Sequence, residues 1–393
     1  MQFSELRPWI TGQEADFTHA LKSLVEINTF SDNLAGVDTA MNMLSEMAAG
    51  MGLSVESLNE RHRLIKAGNG HGKRILLISH MDTVHPPDGD FLHWETQADG
   101  YVRAPGIGDM KGGLLMGLWT LLAMKQLCDD FDAQLVVSAD EEKGSPTIQN
   151  WYNSGAGGAV YGLGLEPGFP QGALSYSTPM GYVYQRKGCG RLRFKIRGRA
   201  AHAGGAWQDG LSAVEGMAHR ILKIHALTDT AKGITTNVGL VKGGTAANTT
   251  AEFCEASVDF RYYTQADAQA LVEQIREIVE TPTVYNKTHD QWDKSEEFVV
   301  ELMMPAMEKT DESQLLVDLV LQEGQRLGHN LLPIARGGGS DANYTSGAGV
   351  PSICGMGAPA EGIHTTQERI LLPMLFDRLE LLVSTVFKLA SMG

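Results

Sequence analysis

Cysteine is scarce in this chain, with four in 393 residues. Cys128, Cys189, Cys254 and Cys354 lie far apart and form no C-x-x-C pair. Neither a disulfide framework nor a thiolate zinc knuckle is therefore expected, and the usage fits a cytoplasmic protein whose thiols stay reduced. Positive charge is also short: 32 Lys and Arg face 47 Asp and Glu, for a formal net charge of −15. A sequence-independent nucleic-acid binder needs a basic footprint, so no nucleic-acid partner is expected. No window approaches about 18 uninterrupted apolar residues, which argues against a membrane-spanning helix and a membrane partner. The opening MQFSELRPWITGQEADF has no basic stretch leading into an apolar one, so no secretory signal is expected. Several nucleotide and nucleophile motifs are missing too. AGNGHGKR puts Ala67 where the first glycine of a phosphate loop belongs, no G-x-G-x-x-G follows a strand, and G-x-S-x-G is absent.

What is present is an ordinary folded composition, 43% apolar and 20% charged, in a chain long enough for two or three domains. Helical spacing of apolar residues predicts helices over Phe17–Ile27 and roughly Val37–Met51. Arg74–His80 and Gln134–Asp140 are short, nearly continuous apolar runs with a helical segment, Lys111–Leu127, between them; Tyr161–Leu165 offers another strand. Strands apolar on both faces that alternate with a helix predict a mixed, mostly parallel sheet flanked by helices. From about Gly181 the texture alternates instead. Tyr182–Gln185, Arg191–Ile196, Asn237–Val241, Glu252–Arg261 and Val299–Met304 read as strands, with helices over Ser212–His225 and Ala266–Thr281. A sheet with two helices in about 120 residues is a domain-sized insertion. The boundaries that follow are 1–180 and 305–393 for the larger α/β domain and 181–304 for the inserted α+β domain. Gln314–Leu327 and Glu368–Leu389 return to helical spacing, Val350–Cys354 reads as a strand, and Thr365-x-x-Glu368 reads as a capping box for the last helix.

Metal-capable residues recur where the apolar strands end. His80-Met81-Asp82 follows one strand, Asp140-Glu141-Glu142 the next, and Glu166 the third; Asp109 lies in GIGDMKGG and His364 in GIHTTQE. In open α/β sheets the loops at the carboxyl ends of strands converge into sites. Two histidines with several carboxylates and no cysteine suit zinc or a related divalent ion. Side chains alternate along extended backbone, so Asp82 can face the same way as His80 and hold its second ring nitrogen. Adjacent Glu141 and Glu142 point in different directions, so one can ligate while the other stands as a general base. Singly, each has an ordinary reading: Asp109 as a helix cap, the Glu-Glu pair as a helix start, Glu166 before Pro167 as a turn residue, and His364 as a surface residue. The coincidence of separate strand ends each delivering a ligand favours the metal site. His71, His85, His93, His219, His225, His289 and His329 lack such company and read as structural or surface residues. The run Gly337–Ser340 reads as a close backbone approach to a ligand or a sheet turn.

In chain order, SHMDTV, GIGDMKGG, DEEKGS, LEPG, RAAHAGGAW, GGGSDANY and GIH resemble the two-zinc aminoacylase and carboxypeptidase family. That family includes acetylornithine deacetylase, succinyl-diaminopimelate desuccinylase and glutamate carboxypeptidase, and SHMDTV, DEEKGS, HAGGA and GGGSDA lean towards the last. The resemblance runs from about Ser79 to His364. It implies a zinc-peptidase-like catalytic domain, an inserted lid that also makes a homodimer, and two zinc ions per subunit, with cobalt or manganese as substitutes. His80, Asp109 and Glu166 would hold one zinc, and Asp109, Glu142 and His364 the other, with a cis bond expected between Asp109 and Met110. Asp82 would orient His80, Glu141 would be the general base, and His202 would act in the partner's active site. Asn248 and Arg261, with Gly338 and Gly339 of the glycine loop, would line the substrate side. The implied activity is hydrolysis of a peptide or N-acyl amide bond beside a free carboxylate, on a small molecule or short peptide. A deacylase of the acetylornithine type is the alternative within enzymes. A non-catalytic, metal-stabilised dimer is the alternative outside them, and it leaves Glu141 without a purpose. One departure stands out: Met304 occupies the place of an arginine in the glutamate carboxypeptidase pattern. The loss of that bidentate partner, and the nearby Met303 and Met307, point to a pocket for a less acidic, apolar side chain.

Overall fold

The computed structural model describes residues 5–392. Its described residues divide into two compact units, one formed by 5–186, 307–336 and 340–392, the other by 187–306 with 337–339. The larger unit is built on a six-stranded sheet. Strands Arg74–His80, Asp132–Ser138, Tyr161–Gly164 and Ser352–Ile353 pair in parallel, and Arg63–Gly68 and Ser54–Ser57 add antiparallel partners at one edge. Their sequences explain the central position. Asp132–Ser138 is buried at every residue and Arg74–His80 at all but its first, as strands covered on both faces must be. Helix Gly112–Leu127 links these two strands and is buried continuously from Gly112 to Met124, so it belongs to the core rather than the surface. Its close seat depends on Gly113, where a Cβ would lie 2.1 Å from the Leu165 carbonyl oxygen.

Strand Arg74–His80 lies between Asp132–Ser138 on one side and Tyr161–Gly164 on the other. The chain passes from it to Asp132–Ser138 on one side and from there back across it to Tyr161–Gly164 on the other, the reversal of direction at which α/β sheets gather their sites beyond the carboxyl ends of the strands. Register makes the convergence concrete. His80 pairs with Ser138, three residues before Glu141, and Ile78 pairs with Gly164, two residues before Glu166.

The first helix runs Leu6–Val25, starting well before Phe17, because Pro8 falls in its first turn, where a missing N–H costs nothing. Strand Met180–Arg186 pairs in parallel with Leu331–Arg336 in a three-stranded sheet of the larger unit. The last helix begins at Leu372 with Pro373 in its first turn, so Thr365 and Glu368 do not cap it. Glu368 is instead fully buried. The four cysteines are unpaired.

The smaller unit is a four-stranded antiparallel sheet, ordered Thr235–Gly243, Phe253–Tyr262, Gly188–Arg197, Lys294–Met304, with helices Ala213–His225 and Gln265–Glu280. Strict alternation along Phe253–Tyr262 buries Cys254, Ala256, Val258, Phe260 and Tyr262 in its core. The opposite face carries a charge ladder in which Arg193 meets Glu255, Glu297 and Glu301. No helix among the described residues is long and apolar enough to cross a membrane.

Candidate metal centre

Five ligand-type side chains meet at the carboxyl end of the central strand. Asp109 stands between two imidazoles, with Oδ1 3.3 Å from His80 Nε2 and Oδ2 3.1 Å from His364 Nε2. Glu166 Oε1 lies 3.7 Å from His80 Nε2, and Glu142 Oε2 lies 3.5 Å from His364 Nε2. Ligand atoms arranged tetrahedrally around an ion at about 2.0–2.1 Å stand roughly 3.3 Å apart, so these spacings suit a shared ion on each side of Asp109. In two sets the donor atoms all lie within 4.8 Å of one another: His80 with Asp109 and Glu142, and His80 with Glu141 and Glu166. Asp109 links the close pairs, because its two oxygens face different histidines.

The buried polar atoms provide a separate test of fit. His80 Nε2, Asp109 Oδ1 and Glu142 Oε1 are sealed from solvent and have no hydrogen-bond partner. Orphaned atoms of this kind are costly unless a cation joins them. The carboxyl groups say the same. Burial pushes Glu141 well above its ordinary value, and the charges of Glu166, Asp341 and Glu142 add to the rise. Burial, followed by Asp109, raises Glu166 as well. Burial alone would lower His80, yet Asp109, Asp82, Glu141 and Glu166 hold it well above the imidazole range. The residues present therefore fit divalent metal, which would neutralise a crowded anionic pocket.

Surrounding contacts fix these groups. His80 Nδ1 lies 3.0 Å from the backbone oxygen of Asp82 and 3.5 Å from its carboxylate. The Asp82 carboxylate accepts the backbone N–H groups of Glu141 and Glu142 at 3.0 and 3.2 Å and the Ser31 hydroxyl at 2.7 Å. Asp82 thus positions the glutamate loop as well as the histidine. Asp109 does not cap a helix: the following helix has no side-chain cap. Its peptide bond to Met110 is cis. His364 sits in the left-handed region, φ +61°, at the half-exposed rim of the site.

Two buried acids were not marked by the sequence. Asp341 accepts the hydroxyls of Ser138 at 2.6 Å, Tyr152 at 3.1 Å and Ser145, which closes the DEEKGS loop. Glu368 accepts from His85 and from the loop carrying Asp109. Asp341 directly follows GGGS and Glu368 closes GIHTTQE, motifs whose other residues drew the chemical reading. His85, read as structural or surface, is structural: it is buried against Glu368.

The remaining candidates lie in the smaller unit. His202 is exposed, and its Nδ1 accepts the backbone N–H groups of Gly204 and Gly205 at 3.1 and 3.0 Å. A neutral ring held this way carries its proton on Nε2, facing outward as a donor. Asn248 is beside it, since its carbonyl accepts the Ala203 N–H at 2.9 Å. Arg261 is elsewhere, eight residues along its strand from Phe253, roughly 27 Å at the usual rise. Its guanidinium forms a two-point pair with Asp259 at 2.8 and 2.9 Å. A side chain at Gly338 would meet nothing within 4 Å, whereas one at Gly339 would strike the Met304 sulfur. The three methionines do not share a pocket: Met303 is 39% exposed, Met304 7% and Met307 fully buried. Alternation on the strand separates the first two, and Met307 lies beyond the end of that strand.

Residues 184–286 match the family model of a peptidase dimerisation domain. Carboxypeptidase G2 of Pseudomonas sp. is 27% identical over 366 residues, 90% of this chain and 84% of that protein. Among solved structures, aminopeptidase PepT from Bacillus cereus has a TM-score of 0.74 at 22% identity, covering 96% of this chain and 99% of its own. The YXEP protein of Bacillus subtilis, a dinuclear metal-binding peptidase from the M20 family, has a TM-score of 0.71 at 14% identity over 98% and 100%. The chain thus has a peptidase dimerisation domain, is similar in sequence to carboxypeptidase G2 over most of both chains, and shares its fold with M20 metallopeptidases.

Proposed function

We propose that the chain is a two-zinc hydrolase that cleaves a peptide or N-acyl amide bond beside a free carboxylate. The observation that carries this reading is the pairing of Asp109, flanked by two histidines, with a further glutamate, Glu141, that the ligand set does not need. His80, Asp109 and Glu166 would hold one ion, and Asp109, Glu142 and His364 the other. Ions there supply Lewis acidity to a substrate carbonyl and acidity to a water. The protein's own part is proton movement and positioning. Glu141 takes the attacking water's proton on its carboxylate and returns it to the leaving nitrogen. Asp82 holds the backbone of Glu141 in place for that relay. His202 offers Nε2–H to the oxygen that becomes negative.

The smaller unit supports pairing of two copies. Strand Thr235–Gly243 is at the edge of its sheet and leaves Leu240 71% exposed, while Leu222 on helix Ala213–His225 is 72% exposed. Apolar residues of this kind on an edge strand and a helix of one unit suit a protein partner. His202 and Asn248 sit together and Arg261 stands far along the strand, which suits histidine and asparagine serving one active site of a dimer and Arg261 the other. Arg261 is already committed to Asp259, and Met304 brings no charge, so a side-chain pocket for something less acidic than glutamate is the expected preference.

A mass-spectrometric turnover screen tests the reading. Zinc-loaded protein would meet N-acyl amino acids with acidic, basic and apolar side chains, short dipeptides and acetylornithine, with a chelator-treated control. Chelator-sensitive cleavage that disappears in Glu141→Ala supports it. Turnover unchanged by Glu141→Ala removes the assigned base, and fastest cleavage of C-terminal glutamate overturns the side-chain preference.

A further inference from the structure

The segment that delivers Asp109 is not held by a regular ladder. Gly106 adopts φ +67°, and residues 107–111 form an irregular turn before the helix. Buried backbone N–H groups in such a turn need acceptors from elsewhere. One side chain supplies three. The Glu368 carboxylate accepts the N–H of Gly108 at 2.8 Å and of Asp109 at 2.9 Å through one oxygen, and the N–H of Gly106 at 3.2 Å through the other. That second oxygen also lies 2.7 Å from His85 Nε2, which donates to it. Glu368 and His85 are almost wholly sealed from solvent, so these bonds compete with no water.

Position in the chain gives the contact its consequence. Glu368 is four residues after His364, and strand Arg369–Leu371 immediately beyond it pairs with Tyr101–Arg103, just upstream of the Asp109 turn. The compact loop between is closed by bonds from Thr365 N–H to the Gly362 carbonyl and from Glu368 N–H to the Thr365 carbonyl. One carboxylate therefore ties the turn bearing Asp109 to the loop bearing His364. Gly108 fits the same design: a Cβ there would stand 2.4 Å from the Ala360 Cβ and 3.4 Å from Glu368.

We propose that Glu368, oriented by His85, is a positioning residue that clamps the Asp109 turn to the His364 loop and so preforms the second metal position. It touches neither substrate nor metal in this role. The inference rests on the two-metal reading above. Charged acceptors of backbone N–H groups give short, directional bonds, and residues that support ligands commonly change metal affinity by about 10–100-fold when lost.

The experiment is a Zn2+ titration of full-length, metal-free protein against a chromophoric chelator, with stoichiometry by elemental analysis. Wild type, Glu368→Gln, Glu368→Asp and His85→Gln are compared, and amide hydrogen exchange is followed in the metal-free state. Glu368→Gln is expected to keep its fold by circular dichroism and to bind its weaker zinc about 10–100-fold less tightly. Gly108 and Asp109 amides should exchange faster, and Glu368→Asp should recover part of both losses. Two zincs bound by Glu368→Gln with wild-type affinity overturns the proposal. Should Glu368→Gln fail to fold, His85→Gln decides: weaker binding of the second zinc supports the clamp, and unchanged binding overturns it. Wild type that binds fewer than two zincs overturns the two-metal reading itself, a separate result from normal wild-type loading with unaffected variants.

Discussion

The carboxylate of Asp82 accepts the backbone N–H of Glu141 at 3.0 Å. A residue two positions past His80 thus sets the position of the proposed base, and the same carboxylate takes the N–H of Glu142 and the hydroxyl of Ser31. Asp82→Ala would leave two backbone donors of the glutamate loop without their acceptor. Turnover is expected to fall about 10–100-fold or more, with the main loss in kcat, since no substrate contact is removed. Steady-state kinetics on the substrate found by screening check this; a change confined to KM would show that Asp82 serves binding instead.

Gly113 is expected to resist even the smallest side chain. A Cβ there would lie 2.1 Å from the Leu165 carbonyl oxygen, a backbone atom that cannot rotate away. Gly113→Ala must push the central helix and the end of strand Tyr161–Gly164 apart, and Glu166 is the next residue after Leu165. Overpacking of this kind costs roughly 1–3 kcal/mol. Thermal melts should show the loss together with weaker zinc binding, and a melt equal to wild type would mean that the helix shifts freely.

Strand ends were the most legible part of this site. Apolar runs buried on both faces stop abruptly in polar residues, so His80, Glu141, Glu142 and Glu166 could be placed on one edge from pattern alone. Asp109 and His364 come from irregular loops, where no period operates, and ordered motifs carried them instead. Glu368 was misread because T-x-x-E is a local pattern, whereas its true partners are about 260 residues away. His85 read as structural or surface, and its partner Glu368, 283 residues away, was hidden for the same reason. Strands Ser54–Ser57, at the sheet's edge, and Arg63–Gly68, beside it, escaped notice because both are short and mixed in polarity. The Met303–Met307 pocket failed on alternation: neighbours in sequence point to opposite faces of a strand.

Metal loading should release protons. Hydrogen bonds to Asp109 and then Glu142 push His364 up to about 11, so without metal its ring is protonated at neutral pH. A metal ligand must be neutral, so binding displaces that proton, and apparent affinity should rise as pH rises towards the folded value. Titrating Zn2+ into metal-free protein in weakly buffered solution between pH 6 and 8 should acidify it, by at least one proton for the site that uses His364. Affinity that stays flat over that range would remove His364 from the ligand set.

The smaller unit has a pH dependence of its own, centred on Arg220 and Asp293, a fully buried ion pair. Burial alone would raise the Asp293 carboxyl, but the backbone N–H groups of Val284 and Thr283 and the Arg220 guanidinium bring it below its ordinary value. A depressed folded value means that the unfolded chain takes up the proton first as pH falls. The stabilisation is therefore complete well above the unfolded value of about 3.9 and is lost as pH drops through the lower, folded one. Breaking a buried pair from one side costs on the order of 3–5 kcal/mol. Here the low end is expected, because Arg220 keeps the carbonyls of Val279, Gly216 and Thr281. Asp293→Asn should accelerate exchange of the Thr283 and Val284 amides at pH 6, and the difference from wild type should shrink below about pH 4. A difference that persists undiminished at pH 3 would show that the asparagine disturbs packing rather than charge.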